Sequence, residues 1–126
     1  MASEGELDIL QTLALARMAS ELNLFADALS AWRKLEVVAP SDEVARRSAK
    51  SRSRLNTAAR QAFSEEDYLG ALKLYDLILP QDAEFELVHG RRQQIGRRLL
   101  QQMRNAYKEA DMQTVLDNAP VAARIL

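Results

Sequence analysis

The chain has 126 residues, 48% hydrophobic and 28% charged, which is enough apolar material for one buried core without staples. It contains no cysteine, so disulfides, thiolate metal sites and a cysteine nucleophile are excluded. A net charge of −1 gives no global attraction to polyanions or membranes.

The first residues, MASEGELDIL, carry acids where a secretory leader carries bases, and no apolar run approaches a membrane span. A cytoplasmic protein without membrane insertion is therefore expected, with residues 1–5 as a frayed end. From Leu7, apolar residues recur at helical spacing: Leu7, Leu10, Leu13, Ala14, Met18 and Leu22, with Ile9 and Leu15 widening the face. This predicts a helix over 7–22 that packs through that leucine-rich stripe. After a corner near Asn23, Phe25, Ala28, Leu29, Trp32 and Leu35 mark a second helix over 25–38, closed by Pro40. Ser41-Asp42 are good cap residues for a third, over 43–64. Its first half, EVARRSAKSRSR, is thinly apolar and reads as a solvated extension.

The next stretch, AARQAFSEEDYLGALKLYDLILP, predicts two antiparallel helices meeting at a tight corner. Ala58, Ala59, Ala62 and Phe63 form one stripe; Tyr68, Ala71, Leu72, Tyr75 and Ile78 form the other, over 68–79. Pro80-Gln81-Asp82 repeats the punctuation of Pro40-Ser41-Asp42. A long helix over 83–109 follows, with Phe85, Val88, Ile95, Leu99, Met103, Ala106 and Tyr107 as its stripe. Gly90 and Gly96 inside it permit either close packing or a kink. A short helix near 112–118 is expected to stop before Pro120. The apolar end, VAARIL, should then either cover the last helix pair or mediate a homodimer through Val121, Ile125 and Leu126. No segment alternates with period two, so the predicted fold is all-α, with five to six helices.

Aligning the corners gives a period. Ala28 to Ala71 is 43 residues and Ala71 to Val115 is 44, and Ala19, Ala62 and Ala106 keep the same spacing, as do Thr12, Leu55 and Leu99. Phe25, Tyr68 and Met112 fill one equivalent large position, and Trp32 and Tyr75 another. On Ala59, Ala62-Phe63, Asp67-Tyr68, Ala71, Tyr75 and Pro80 the chain resembles the tetratricopeptide-repeat (TPR) family. That resemblance implies a single domain over 1–126, a right-handed solenoid of antiparallel helix pairs with repeats near 7–40, 41–80 and 81–118. The family period is about 34 residues, and the excess is read as added turns on the first helices of repeats two and three. A spectrin-like bundle is the alternative if the long helices pack lengthwise.

Catalytic signals are weak. His89 stands alone on a polar helix face, and Glu65-Glu66-Asp67 fit a helix cap better than a metal or acid–base cluster. No glycine-rich phosphate loop or nucleophile elbow is present. The expectation is a non-enzyme with no cofactor and no metal. Charge, by contrast, is segregated. Residues 43–64 hold six basic groups against one acid, 87–108 hold six and no acid, and 65–86 hold seven acids against Lys73.

In a TPR-like solenoid the first helices line the concave groove, and the repeat frame places Arg17, Arg60 and Arg104 at one equivalent position. Arg97, Gln101, Arg104 and Lys108 share one helix face, and Asn56 lies one turn before Arg60. These seven residues are the predicted partner groove, and arginine forks suit carboxylates, so the expected partner is an acidic or extended peptide. The competing reading pairs the arginines with acids of neighbouring helices as ordinary surface. Arg46 and Arg91 are expected outside the groove. Leu13 and Arg17 stand where carboxylate-clamping members carry Lys and Asn, which argues against a free C-terminal carboxylate as the ligand. Two further function classes compete: nucleic-acid binding along the arginine-rich helices, and a structural, self-assembling or targeting segment of a longer chain. The apolar VAARIL end motivates the second, because solenoids normally close with a polar cap.

Overall fold

Three helix corners share one long closing bond, from an amide to the carbonyl five residues before it. In the computed structural model, which describes residues 3–108 and 111–126, the helices are α1 (Glu4–Glu21), α2 (Phe25–Val38), α3 (Asp42–Ser64), α4 (Tyr68–Tyr75), α5 (Phe85–Lys108) and α6 (Met112–Ile125). The fold is all-α among these residues, and none of the helices is long and apolar enough to cross a membrane. At the first corner Asn23 takes φ 56°, the Leu24 amide donates to the Ala19 carbonyl at 2.9 Å, and the Asn23 amide donates to Ser20 at 3.2 Å. At the second, Glu66 takes φ 62°, Asp67 donates to Ala62 at 2.8 Å and Glu66 to Phe63 at 3.0 Å. These are Schellman closures, which satisfy the last carbonyls of a helix through one left-handed residue. Asp111 donates to Ala106 at 2.7 Å in the corresponding bond of the third corner. The three accepting carbonyls belong to the alanines singled out by the sequence spacing. A small side chain there lets the returning helix approach.

The chain divides into two compact units, Met1–Ala58 and Ala59–Leu126, with the boundary inside α3. In the first unit, α1 and α2 form an antiparallel hairpin, since Asp8 near the start of α1 pairs with Lys34 near the end of α2 at 2.9 Å. Its core is Ala16, Ala19, Ala28, Ala31, Trp32 and Leu35, with Ile9, Leu13 and Val44 packed against it. The predicted face of α1 is corrected here. Thr12, Ala16 and Ala19 are buried, whereas Leu7, Leu10, Leu15, Met18 and Leu22 are exposed. Small residues won this contact because a close helix crossing beneath Trp32 has no room for leucine. The N-terminal expectation also changes: Ser3 caps α1 by accepting from the Glu6 amide, so residues 3–5 belong to an ordered helix start, while residues 1–2 lie outside the described residues.

The first half of α3 is packed, not a solvated extension. Ser48, Ser51 and Leu55 are buried at i, i+3 and i+7, with Ser48 at 0% exposure and accepting from Arg52 Nη1 at 2.9 Å. Its buried face is made of serine, which an apolar pattern does not register. Ser41 caps it as expected, accepting from the Val44 amide at 3.1 Å.

In the second unit, Asp67 accepts from the Gly70 amide at 3.0 Å and caps α4. This is the role foreseen for the acidic corner. The helix ends at Tyr75, short of the expected 79, because Leu77 and Ile78 turn back to Leu74 and Tyr75 in tighter i−3 bonds ahead of Pro80. Asp82 then accepts from the Leu79 amide, and α5 starts at Phe85. Pro120 does not stop α6, which runs to Ile125. Proline forgoes only the bond to the Leu116 carbonyl, and contacts on both sides hold the helix to α5. Asn118 Nδ2 donates to Gln102 at 3.2 Å and Gln93 Nε2 to the Ile125 carbonyl at 3.2 Å.

The C-terminal residues therefore cover α5 over Gly96. A Cβ built there meets Ile125 Cγ2 at 2.9 Å and Leu126 Cγ at 3.0 Å, whereas one at Gly90 meets nothing within 4 Å. Gly90→Ala is accordingly expected to stabilise the chain by about 0.5–1 kcal/mol. Gly96→Ala is expected to destabilise it by about 1–2 kcal/mol through overpacking. Urea denaturation followed by helical circular dichroism checks both, and an equal upward shift for the two would contradict the docked tail.

Asp111 caps α6, accepting from the Thr114 hydroxyl at 2.7 Å and the Thr114 amide at 3.2 Å. These bonds, the hydroxyl's first, hold its carboxyl below the ordinary value of 3.8. A depressed carboxyl stabilises the fold fully above 3.8 and loses that contribution as the pH falls through its own lower value. The Thr114 amide resonance should thus titrate with a midpoint below 3.8, and a midpoint at or above it would show the cap to be absent in solution.

Candidate partner-binding surfaces

In the first unit three helices line one cleft, and two of them, α1 and α3, supply its cations. Arg47, Lys50 and Arg54 follow i, i+3 and i+7 on α3 and so share a face. Arg17, Ser20 and Glu21 come from the last turns of α1, and Trp32 of α2 lies at the bottom. Together with Ser51 these residues enclose about 330 Å³. Arg54 Nη1 donates to the Ser20 carbonyl at 3.3 Å, near the negative end of α1. Arg47 is steadied by Glu43 at 3.0 Å, and its guanidinium carbon lies 6.0 Å from the Trp32 ring centre. The indole is 1% exposed and donates from Nε1 to Ser20 Oγ at 3.1 Å, so the cleft is directly coupled to the core.

Four cations against the single carboxylate of Glu21 make the lining strongly positive. Two further depressions continue it along α3: about 610 Å³ beside Asn23, Phe25 and Thr57, and about 320 Å³ beside Glu43 and Arg46. Lys50 lines all three. A basic strip over several turns can hold an extended anionic chain through repeated charge-assisted hydrogen bonds.

The second unit carries another cleft, of about 540 Å³, where Gln101, Arg104 and Lys108 meet the apolar groups of Met103, Tyr107 and Val115. Tyr107, expected in the core stripe, is largely exposed, whereas Ala106 beside it is buried.

Of the predicted groove residues, Arg17 and Asn56 belong to the first unit and Arg60, Arg97, Gln101, Arg104 and Lys108 to the second. Gln101, Arg104 and Lys108 come together; Arg17 joins Arg47, Lys50 and Arg54 instead. Asn56 is half-buried on α3, with its acceptor Oδ1 shielded from solvent, and it lines none of these clefts. Arg60 and Arg97 are exposed and line none of these clefts. Arg46 and Arg91, expected outside the groove, have settings of their own. Arg46 borders the basic strip with Arg47 and Lys50. Arg91 is half-buried and donates to the Tyr75 hydroxyl at 3.2 Å, so it supports the core of its unit. Some arginines do pair with neighbouring acids, as surface groups do: Arg92 with Asp76 at 3.0 Å, and Arg52 near Glu36 at 3.9 Å.

Sequence reasoning missed Arg47, Lys50 and Arg54 as a cluster, although their common helical face was available in the spacing. The link to Arg17 depends on how α3 sits beside α1, which the spacing does not encode. His89 is exposed and stacks on Phe85 at 6.0 Å, a surface arrangement. Comparison with protein-family models, with curated proteins and with solved structures finds no match to this chain.

Proposed function

We propose that the chain is a non-catalytic interaction module that holds an acidic, extended peptide segment, with its helix pairs arranged as a TPR-like solenoid. The common carbonyl-to-amide closure of the three corners, at Ala19, Ala62 and Ala106, supports the helix-pair part of this reading. The observation that carries the function is the Arg17–Arg47–Lys50–Arg54 cleft above Trp32. Carboxylates entering it meet Arg47, paired with Glu43, and Arg54, held at the Ser20 carbonyl, and this partial ordering lowers the cost of binding. We read its chemistry as recognition, because cations dominate the lining and the Ser20 hydroxyl already accepts from the Trp32 indole.

The test uses a fluorescein-labelled octapeptide of alternating Glu and Gly, titrated by anisotropy at about 50 and 300 mM salt. Saturable binding that weakens with salt, and that a Gln-for-Glu peptide lacks, is the expected result. Equal binding of both peptides would overturn the electrostatic basis. Tighter binding of a single-stranded oligonucleotide than of the peptide would transfer the strip to nucleic acid.

A further inference from the structure

The α1 helix is apolar on two sides, and only one is covered. Ile9, Leu13, Ala16 and Ala19 pack on the core of the first unit. On the opposite side Leu7, Leu10, Met18 and Leu22 are 49–62% exposed, with Ala14 between them also exposed. A helix apolar around most of its circumference is normally buried around most of it. The stripe also has an internal symmetry. Counting from Ala14, Leu10 and Met18 lie four residues to either side, and Leu7 and Leu22 lie seven and eight away.

We propose that this stripe is a homodimer seam, in which α1 of a second copy crosses antiparallel with Ala14 against Ala14. In that register Leu10 of each copy meets Met18 of the other, Leu7 meets Leu22 within one residue's rise, and the small Ala14 sits where the helices come closest. A two-fold contact needs such a self-complementary patch. Charge selects the antiparallel sense. Glu4 and Glu6 crowd the start of α1, whereas Arg17 and Glu21 balance near its end, so a parallel pair would bring four carboxylates together and an antiparallel pair sets them against a neutral end. Area sets the strength. The stripe offers on the order of 400–500 Å² per copy, about half of what a stable interface takes from each partner. The dimer is therefore weak and concentration-dependent. Its apolar contacts, Leu7, Leu10, Ala14, Met18 and Leu22, are not among the residues lining the proposed peptide cleft.

Sedimentation equilibrium from about 10 to 500 µM tests the seam. The mass is expected to rise from 14.2 kDa toward twice that value. The double variant Leu10→Glu with Met18→Glu is expected to stay monomeric with unchanged helicity and melting. A wild-type mass fixed at the monomer value, or equal association of the variant, would overturn the proposal. The absence of native cysteine allows a register test by oxidation. Ala14→Cys should form a linked dimer, whereas Leu7→Cys should not, its two copies lying about 21 Å apart along the seam. Crosslinking of both would contradict the antiparallel register.

Discussion

Trp32→Ala is expected to cost about 3–5 kcal/mol, a large part of the stability of a small unit. The side chain is 1% exposed and its neighbours in the core are mostly alanines, Ala16, Ala19, Ala28 and Ala31, with Leu35 beyond. Alanine neighbours cannot relax into the space left by an indole, so most of the cavity persists. The change also removes the donor to Ser20 Oγ and the aromatic face near Arg47. Trp32→Phe separates these effects. It retains most of the apolar volume while losing the indole hydrogen bond, and is expected to cost about 1–2 kcal/mol. Tyr75→Ala is the counterpart in the second unit, where the ring is equally buried and its hydroxyl accepts from Arg91. Chemical denaturation read by helical circular dichroism ranks the variants. A Trp32→Ala midpoint within error of wild type would mean that the α1–α2 hairpin is not packed around the indole.

Reversing Arg17 and Lys50 together to Glu is expected to weaken capture of the acidic octapeptide by on the order of 100-fold or more. Each charge-assisted contact contributes roughly 1.5–3 kcal/mol before ordering costs, and reversal adds repulsion to the loss. Both residues are exposed on their helices, so helicity and melting should change little. The paired experiment reverses Arg104 and Lys108, which line the cleft of the second unit with Tyr107. Loss in the first pair alone assigns recognition to the Trp32 cleft; loss in the second alone assigns it to the α5–α6 corner. Arg98, exposed on α5, is the control reversal and should leave binding within about two-fold. Arg91 does not serve that purpose, because its reversal would strike the Tyr75 contact. Equal losses in all variants would indicate diffuse attraction without a site.

The sequence made the helices legible because their punctuation is local. Asn23, Glu66 and the alanines before them, Ser41 and Asp67 as caps, and Pro40 and Pro80 each act within a few residues of the boundary they set. Trp32 and Tyr75 were legible as core for the same reason, standing one turn beyond a corner alanine. The errors came where a tertiary contact reversed a local preference. Leucines mark the apolar side of α1, yet the close crossing under Trp32 selected Thr12, Ala16 and Ala19. Serines suggest solvent, yet Ser48 and Ser51 supply the buried face of α3. Pro120 suggests a break, yet anchors through Asn118 and Ile125 carry α6 past it. The basic cleft follows the same logic. Its residues were visible as charge, but their convergence depends on Arg54 reaching the end of α1 and Arg47 reaching the indole, contacts between elements far apart in sequence.

The most direct measurement follows the Trp32 indole proton, unique in a chain with one tryptophan, while the acidic octapeptide is titrated into isotopically labelled protein. Its nitrogen donates to Ser20 Oγ at the bottom of the cleft. Occupation of the cleft should therefore shift the indole resonance in step with the side-chain signals of Arg17, Arg47 and Arg54, saturating at one affinity. An unchanged indole signal at peptide saturation, with shifts confined to other residues, would contradict the account.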